Sequence, residues 1–238
     1  MTFEEIFTQL QVLGTEQTRK SYLRHGSGPN VFGASFATYG VLKKQFVGRG
    51  KDKTLAHGMA RQLWHTQNID AQSLATMIAD PQQLTEAEAE VWARDIQYYA
   101  LADLLAALVA QTSFAQAKVA QWTMAPAEML QRVGYSLVSR LALAASLLPD
   151  AFFEDQIVQM ERAIQTAPNR AKEAINTAFI SIGSRSEMLR ALVEQAAARL
   201  GDIVIDHGDT SCQTFAIREY LGRVWARKAK PGATTQAA

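Results

Sequence analysis

Asp103 is the residue whose type and setting most invite chemistry. It stands in the run from Leu101 to Leu108, which is otherwise apolar, and an unpaired carboxylate buried there would be costly. Tyr99 lies four residues earlier, so on a helix the two side chains leave the same face, with Tyr98 next to it. A carboxylate can stabilise a developing cation or orient an attacking water, and an aromatic face attracts positive charge. From the residues alone a plainer reading stays open: a carboxylate at the helix rim or paired with an arginine, beside two tyrosines that simply pack.

The remaining chemistry-bearing residues are cations and aromatics. Arg132, Arg170 and Lys172 lie on helical stretches and Arg185 between two of them, where a guanidinium or ammonium can hold a phosphate. So could Lys43, Lys44 and the segment Arg223, Arg227, Lys228 and Lys230. Charge on helix surfaces is usually solvation alone. Of the four tryptophans, Trp64, Trp92 and Trp225 read as core anchors, and Trp122 is the exception to watch because it precedes the Arg132 helix. The segment Asp206 to Cys212 holds Asp, His and Cys but lacks the spacing of a structural zinc site. It reads as a glycine-containing loop before the last helix, and no metal or cofactor is expected. Gly26-Ser27-Gly28 is too short for a phosphate loop.

The elements that must position these groups are helices. The 238 residues are 48% apolar, with six prolines, a composition that favours helix and can bury a sizeable core. The formal net charge of +1 argues for no particular partner. One cysteine, Cys212, rules out an intrachain disulfide and suits a reducing compartment. The acidic, amphipathic N-terminus does not resemble a secretory signal, and the longest apolar stretch, Leu101 to Val109, is too short to span a bilayer. A cytoplasmic monomer is expected.

Apolar residues recur at helical spacing nearly throughout. Phe3, Ile6, Phe7 and Leu10 begin the pattern; Leu55, Met59 and Leu63 continue it. Thr15 is expected to cap one helix, Asp70 another, and Thr85 to Glu88 to form a capping box. A helix is expected after Val31 to Gly33 as far as about Val47, and further helices near 101–110 (central and buried), 114–122, 127–147, 153–166, 170–182, 186–200 and 215–227. Only Ile203 to Ile205 hints at a strand. Helix pairs recurring every 35–45 residues or so suit an all-α, right-handed superhelix of degenerate HEAT-like or armadillo-type repeats. One domain over 1–228 is expected, with a disordered tail at 229–238.

Several segments resemble the AlkD-like DNA alkylation-repair family, over about residues 20–205. These are Val31 to Gly33 with Leu42 to Lys44; Leu63-Trp64 with Asn68 to Ala71; and Ala75 to Pro81. Trp92 to Asp95 leading into Tyr98 to Asp103, Leu130 to Arg132, and Lys172 to Asn176 with Ile182-Gly183 complete the set. The resemblance implies a concave helical surface gripping alkylated double-stranded DNA. The implied reaction is hydrolysis of the N-glycosidic bond of purines such as 7-methylguanine and 3-methyladenine. In it Asp103 would stabilise the sugar as it becomes oxocarbenium-like. Tyr98, Tyr99, Trp122 and the residue at Thr177 would line the cleft, and Arg132, Arg170, Lys172 and Arg185 would hold the DNA backbone. The chain departs from the family at three places: Tyr99 and Thr177 stand where Trp is usual, and Ala100 where Asp is common. Those departures suit a non-catalytic paralogue that binds DNA structure. A helical-repeat scaffold for proteins is the other alternative.

Overall fold

In a computed structural model, residues 1–144 and 148–229 are described. Among them are thirteen helices and no strand: α1 Phe3–Leu13, α2 Glu16–Arg24, α3 Phe36–Lys43, α4 Lys53–His65, α5 Ile69–Ile78, α6 Glu86–Asp95, α7 Tyr99–Val109, α8 Ala115–Thr123, α9 Glu128–Leu143, α10 Asp150–Ala163, α11 Asn169–Gly183, α12 Glu187–Leu200 and α13 Ile217–Lys228. The segment Ile203 to Ile205 is irregular rather than a strand. Two compact units divide the chain, Met1–Ala117 and Lys118–Ala238. The expected tail from 230 onward, and the end of the expected 127–147 helix, lie outside the described residues.

In the first unit, α5 packs between α4, α3 and α7, and all of its residues but Met77 are buried. The most enclosed helix is therefore α5, whereas α7 keeps Asp103, Leu104 and Ala107 partly exposed. The cap of α5 is Asn68, whose side chain accepts the Asp70 and Ala71 amides at 3.0 and 3.1 Å. Asp70 is thereby released for a different task. Fully buried, its carboxyl accepts the Phe32, Gly33 and Ala34 amides at 2.6, 3.2 and 2.7 Å and the Tyr39 hydroxyl at 2.8 Å. It holds residues 32–34 outside the helix, with Gly33 at a φ of +87°, and the helix that Val31 to Gly33 leads into runs from Phe36 to Lys43, short of the expected Val47. Burial and the adjacent Asp70 charge push the Tyr39 hydroxyl far above the ordinary tyrosine range.

Thr85 caps α6 as expected, its hydroxyl accepting the Glu88 amide at 3.2 Å. The other half of the expected capping box is replaced, because Glu88 turns to Arg61 at 2.7 Å and His57 at 3.3 Å. A charged partner outcompetes the cap backbone. Trp64 and Trp92 stack at 4.3 Å, 3° from parallel, with the Trp64 indole N–H donating to Asp95 at 2.9 Å. Met59 and Leu63 are buried while Leu55 is exposed, so Ala56 carries the first turn of that inner face.

In the second unit, α9 and α11 form the centre. A hydrogen bond of 2.6 Å joins Ser139 to Ser181. Gly134 lets α9 approach the Trp122–Thr123 backbone, since a Cβ there would lie 2.6 Å from the Thr123 nitrogen. Trp225 on α13 donates to the Gly183 carbonyl at 2.9 Å.

Candidate functional site

On α7, local sequence explains the placement of each side chain. Tyr98 is the N-cap residue, extended and buried, with its ring 6.1 Å from Tyr22. Tyr99 begins the helix, half-buried, its hydroxyl 3.2 Å from His25 Nδ1 and its ring centroid 5.1 Å from that of Tyr98. Asp103 follows one turn later on the partly exposed side, while Leu101, Ala102, Leu105 and Ala106 face the core. This face of the first unit thus holds a carboxylate and a phenol, with an imidazole bonded to the phenol. His25 was not among the sequence candidates. Its one signal was its place beside the Gly26 loop, and pairing it with Tyr99 spans 74 residues.

The second unit builds a different constellation. Arg132 is only 5% exposed. Its Nη1 donates to Glu173 Oε2 at 2.7 Å and to the Arg170 carbonyl at 3.1 Å. Arg170 donates to the same Glu173 oxygen at 3.3 Å, and its amide is held by Glu128 at 2.6 Å. His207 places Nδ1 4.0 Å from the other Glu173 oxygen and Nε2 3.1 Å from the Thr214 hydroxyl. Burial raises the Glu173 carboxyl, but Arg132 and Arg170 more than offset it and hold it below the ordinary glutamate range. A guanidinium removed from water requires a carboxylate partner. Arg132 therefore ties α9 to α11 instead of standing on the surface.

Other expected site residues also have structural partners. Trp122 is fully buried, with Lys118 Nζ 5.7 Å over its ring, and offers no open face. Arg185 bonds Asp150 at 3.1 Å and the Leu148 carbonyl at 2.9 Å, and stacks 4.7 Å over Phe153. Thr177 is exposed, its hydroxyl donating to the Glu173 carbonyl at 3.1 Å. Lys172 is half-exposed, without an ion pair among the described residues. Among those residues no group of His, Cys, Asp or Glu could hold a metal ion, and no helix is long and apolar enough to cross a membrane.

A profile of the DNA alkylation repair enzyme family matches residues 6–218. The chain belongs to that family. Two relatives, both uncharacterized proteins, come from Listeria monocytogenes and Listeria innocua. Each is 25% identical over 223 residues, covering 93% of this chain and 96% of its own length. A solved structure covers 96% of this chain and 95% of its own at a TM-score of 0.85 and 22% identity. It is described as one of a new family of proteins related to the HEAT-like repeat DNA glycosylases with affinity for branched DNA structures. The all-α fold of this DNA alkylation repair family member is therefore the HEAT-like repeat fold.

Proposed function

We propose that the chain binds DNA through its structure, with a preference for branched over linear duplexes, and does not excise alkylated bases. The observation that carries this reading is that the groups expected to grip a lesion serve the protein's own interior. Trp122 is fully buried, Tyr98 is buried, Arg132 is paired with Glu173, and position 177 is a threonine. A cationic base needs an open aromatic face, and of the four expected cleft residues only Tyr99 is a partly exposed aromatic. Family membership and the neighbour's affinity for branched DNA support DNA as the partner. The protein would act as a soluble monomer in the cytoplasm.

One observation favours a second reading, excision of alkylpurines. Asp103 keeps a partly exposed place one turn from Tyr99 on an otherwise apolar helix. The carboxylate would stabilise the deoxyribosyl cation while water attacks and the neutral base departs. A single experiment separates the two. Free base is measured from duplex carrying 7-methylguanine, alongside anisotropy titrations of a four-way junction and a linear duplex of equal length. Tighter binding of the junction with no base release is expected. Release that disappears in Asp103→Asn would establish the glycosylase instead. Absence of binding to either DNA would remove both readings.

A further inference from the structure

The connection between α3 and α4 is strongly basic. Residues 43–53 hold Lys43, Lys44, Arg49, Lys51 and Lys53 against one carboxylate, Asp52. That is a local charge of +4 in a chain whose formal net charge is +1, so all the rest sums to −3. Asp52 is occupied as the cap of α4, its oxygen accepting the Thr54 and Leu55 amides at 2.9 and 3.0 Å. Lys44, Arg49 and Lys51 are exposed and form no ion pair among the described residues.

The segment is shaped as well as charged. Phe46 is 5% exposed and pins it to the core. Its amide and that of Val47 bond back to the Lys43 carbonyl at 2.9 Å. A tight turn then runs from Gly48 to Lys51, closed by the Lys51 amide on the Gly48 carbonyl at 3.2 Å. Gly50 sits at its third position with φ of +77°, the left-handed backbone that a type II turn demands there. The turn sets Arg49 at its tip, with Lys44 before it and Lys51 at its end.

We infer that this turn is a phosphate-contacting element of the first unit, which seats Lys44, Arg49 and Lys51 on the backbone of bound DNA. The inference rests on the DNA-binding reading above and says where its electrostatic contacts are made. Local cations without carboxylate partners are what counterion release from a phosphodiester backbone rewards, and net charge does not matter to it. None of these contacts reads sequence. They suit recognition by backbone geometry.

The test is a sodium chloride series of anisotropy titrations on a fluorescein-labelled four-way junction. Three proteins are compared: wild type, the triple variant Lys44→Glu/Arg49→Glu/Lys51→Glu, and a matched reversal of three charges at Arg94, Arg162 and Arg199. Each phosphate contact contributes about 0.9 to the slope of log K against log salt. The loop variant should lose about 2–3 from that slope and bind more than about tenfold more weakly at 0.1 M salt. The matched reversal should leave the slope within about 0.5 of wild type. An unchanged slope in the loop variant, or an equal loss in the matched reversal, overturns the placement while leaving DNA binding intact. If wild type binds no DNA, the parent reading falls and the loop's role with it. The substituted side chains are exposed, and a circular dichroism melt verifies the fold of each variant.

Discussion

Two carboxyl groups, one buried and one half-buried, show how single residues organise their surroundings here. Asp70 satisfies three backbone amides and the Tyr39 hydroxyl at once. Removing it would strand four donors away from water, and each buried donor left without a partner costs about 1–3 kcal/mol. Asp70→Ala should therefore lose about 3–5 kcal/mol in urea unfolding, more than any surface change in the same unit. Glu173 tests the other cluster through pH. Its carboxyl is held low by Arg132 and Arg170 against the opposing effect of burial, relative to an ordinary value of 4.5. A depressed folded-state pKa means stability that is fully present above the unfolded value and lost as pH falls toward the folded one. Wild type should therefore exceed Glu173→Gln in unfolding free energy by a constant margin above about pH 5.5, and the margin should shrink below about pH 4.5. A margin independent of pH would mean that the Arg132 pair contributes no net charge stabilisation.

Helix contacts, by comparison, are set by small side chains at crossings. The α8–α9 approach depends on Gly134, where an added Cβ would meet the Thr123 nitrogen and lie 2.9 Å from the Trp122 carbonyl carbon. Backbone cannot move aside as a side-chain tip can. Gly134→Ala should thus cost about 1–3 kcal/mol by overpacking, read as a lower unfolding midpoint and faster hydrogen exchange along α8. Most helices were legible from apolar spacing and caps, because those signals act within a few residues. Thr15, Thr85 and the Phe3 to Leu10 pattern all lie where the helices do. The mistaken details were long-range. Asp70 leaves its own helix start to bind residues more than 35 positions away, and Glu88 leaves its cap for Arg61 and His57.

For the molecule as a whole, family membership and the proposed function are separate matters. On the proposed reading, the chain keeps the HEAT-like repeat fold of its DNA alkylation repair family while side chains that the family resemblance assigns to excision are replaced or turned inward. Restoring an aromatic face beside Asp103 tests whether that carboxylate is competent. The variant Tyr99→Trp, one turn from Asp103 on α7, is expected to release measurable 7-methylguanine, and adding Asp103→Asn is expected to abolish it. Continued inactivity of Tyr99→Trp would mean that Asp103 is not placed to stabilise the sugar.

The sequence by itself determined the helical class, most helix positions, the family, and the absence of a tryptophan at position 177. Periodicity, capping residues and motif order are properties of the chain that no fold is needed to see. Which charges stay available was decided only by tertiary structure. Arg132, Arg170 and Arg185 looked like free cations because the protein surface is the usual home of arginine, yet Glu173 claims Arg132 from another helix and Arg170 from one turn away on its own, and Asp150 claims Arg185. Lys44, Arg49 and Lys51, by contrast, form no ion pair among the described residues, in a turn pinned by Phe46. An ion pair depends on distance in space, and neighbours 35 or 41 residues apart in the chain become neighbours only once the helices pack.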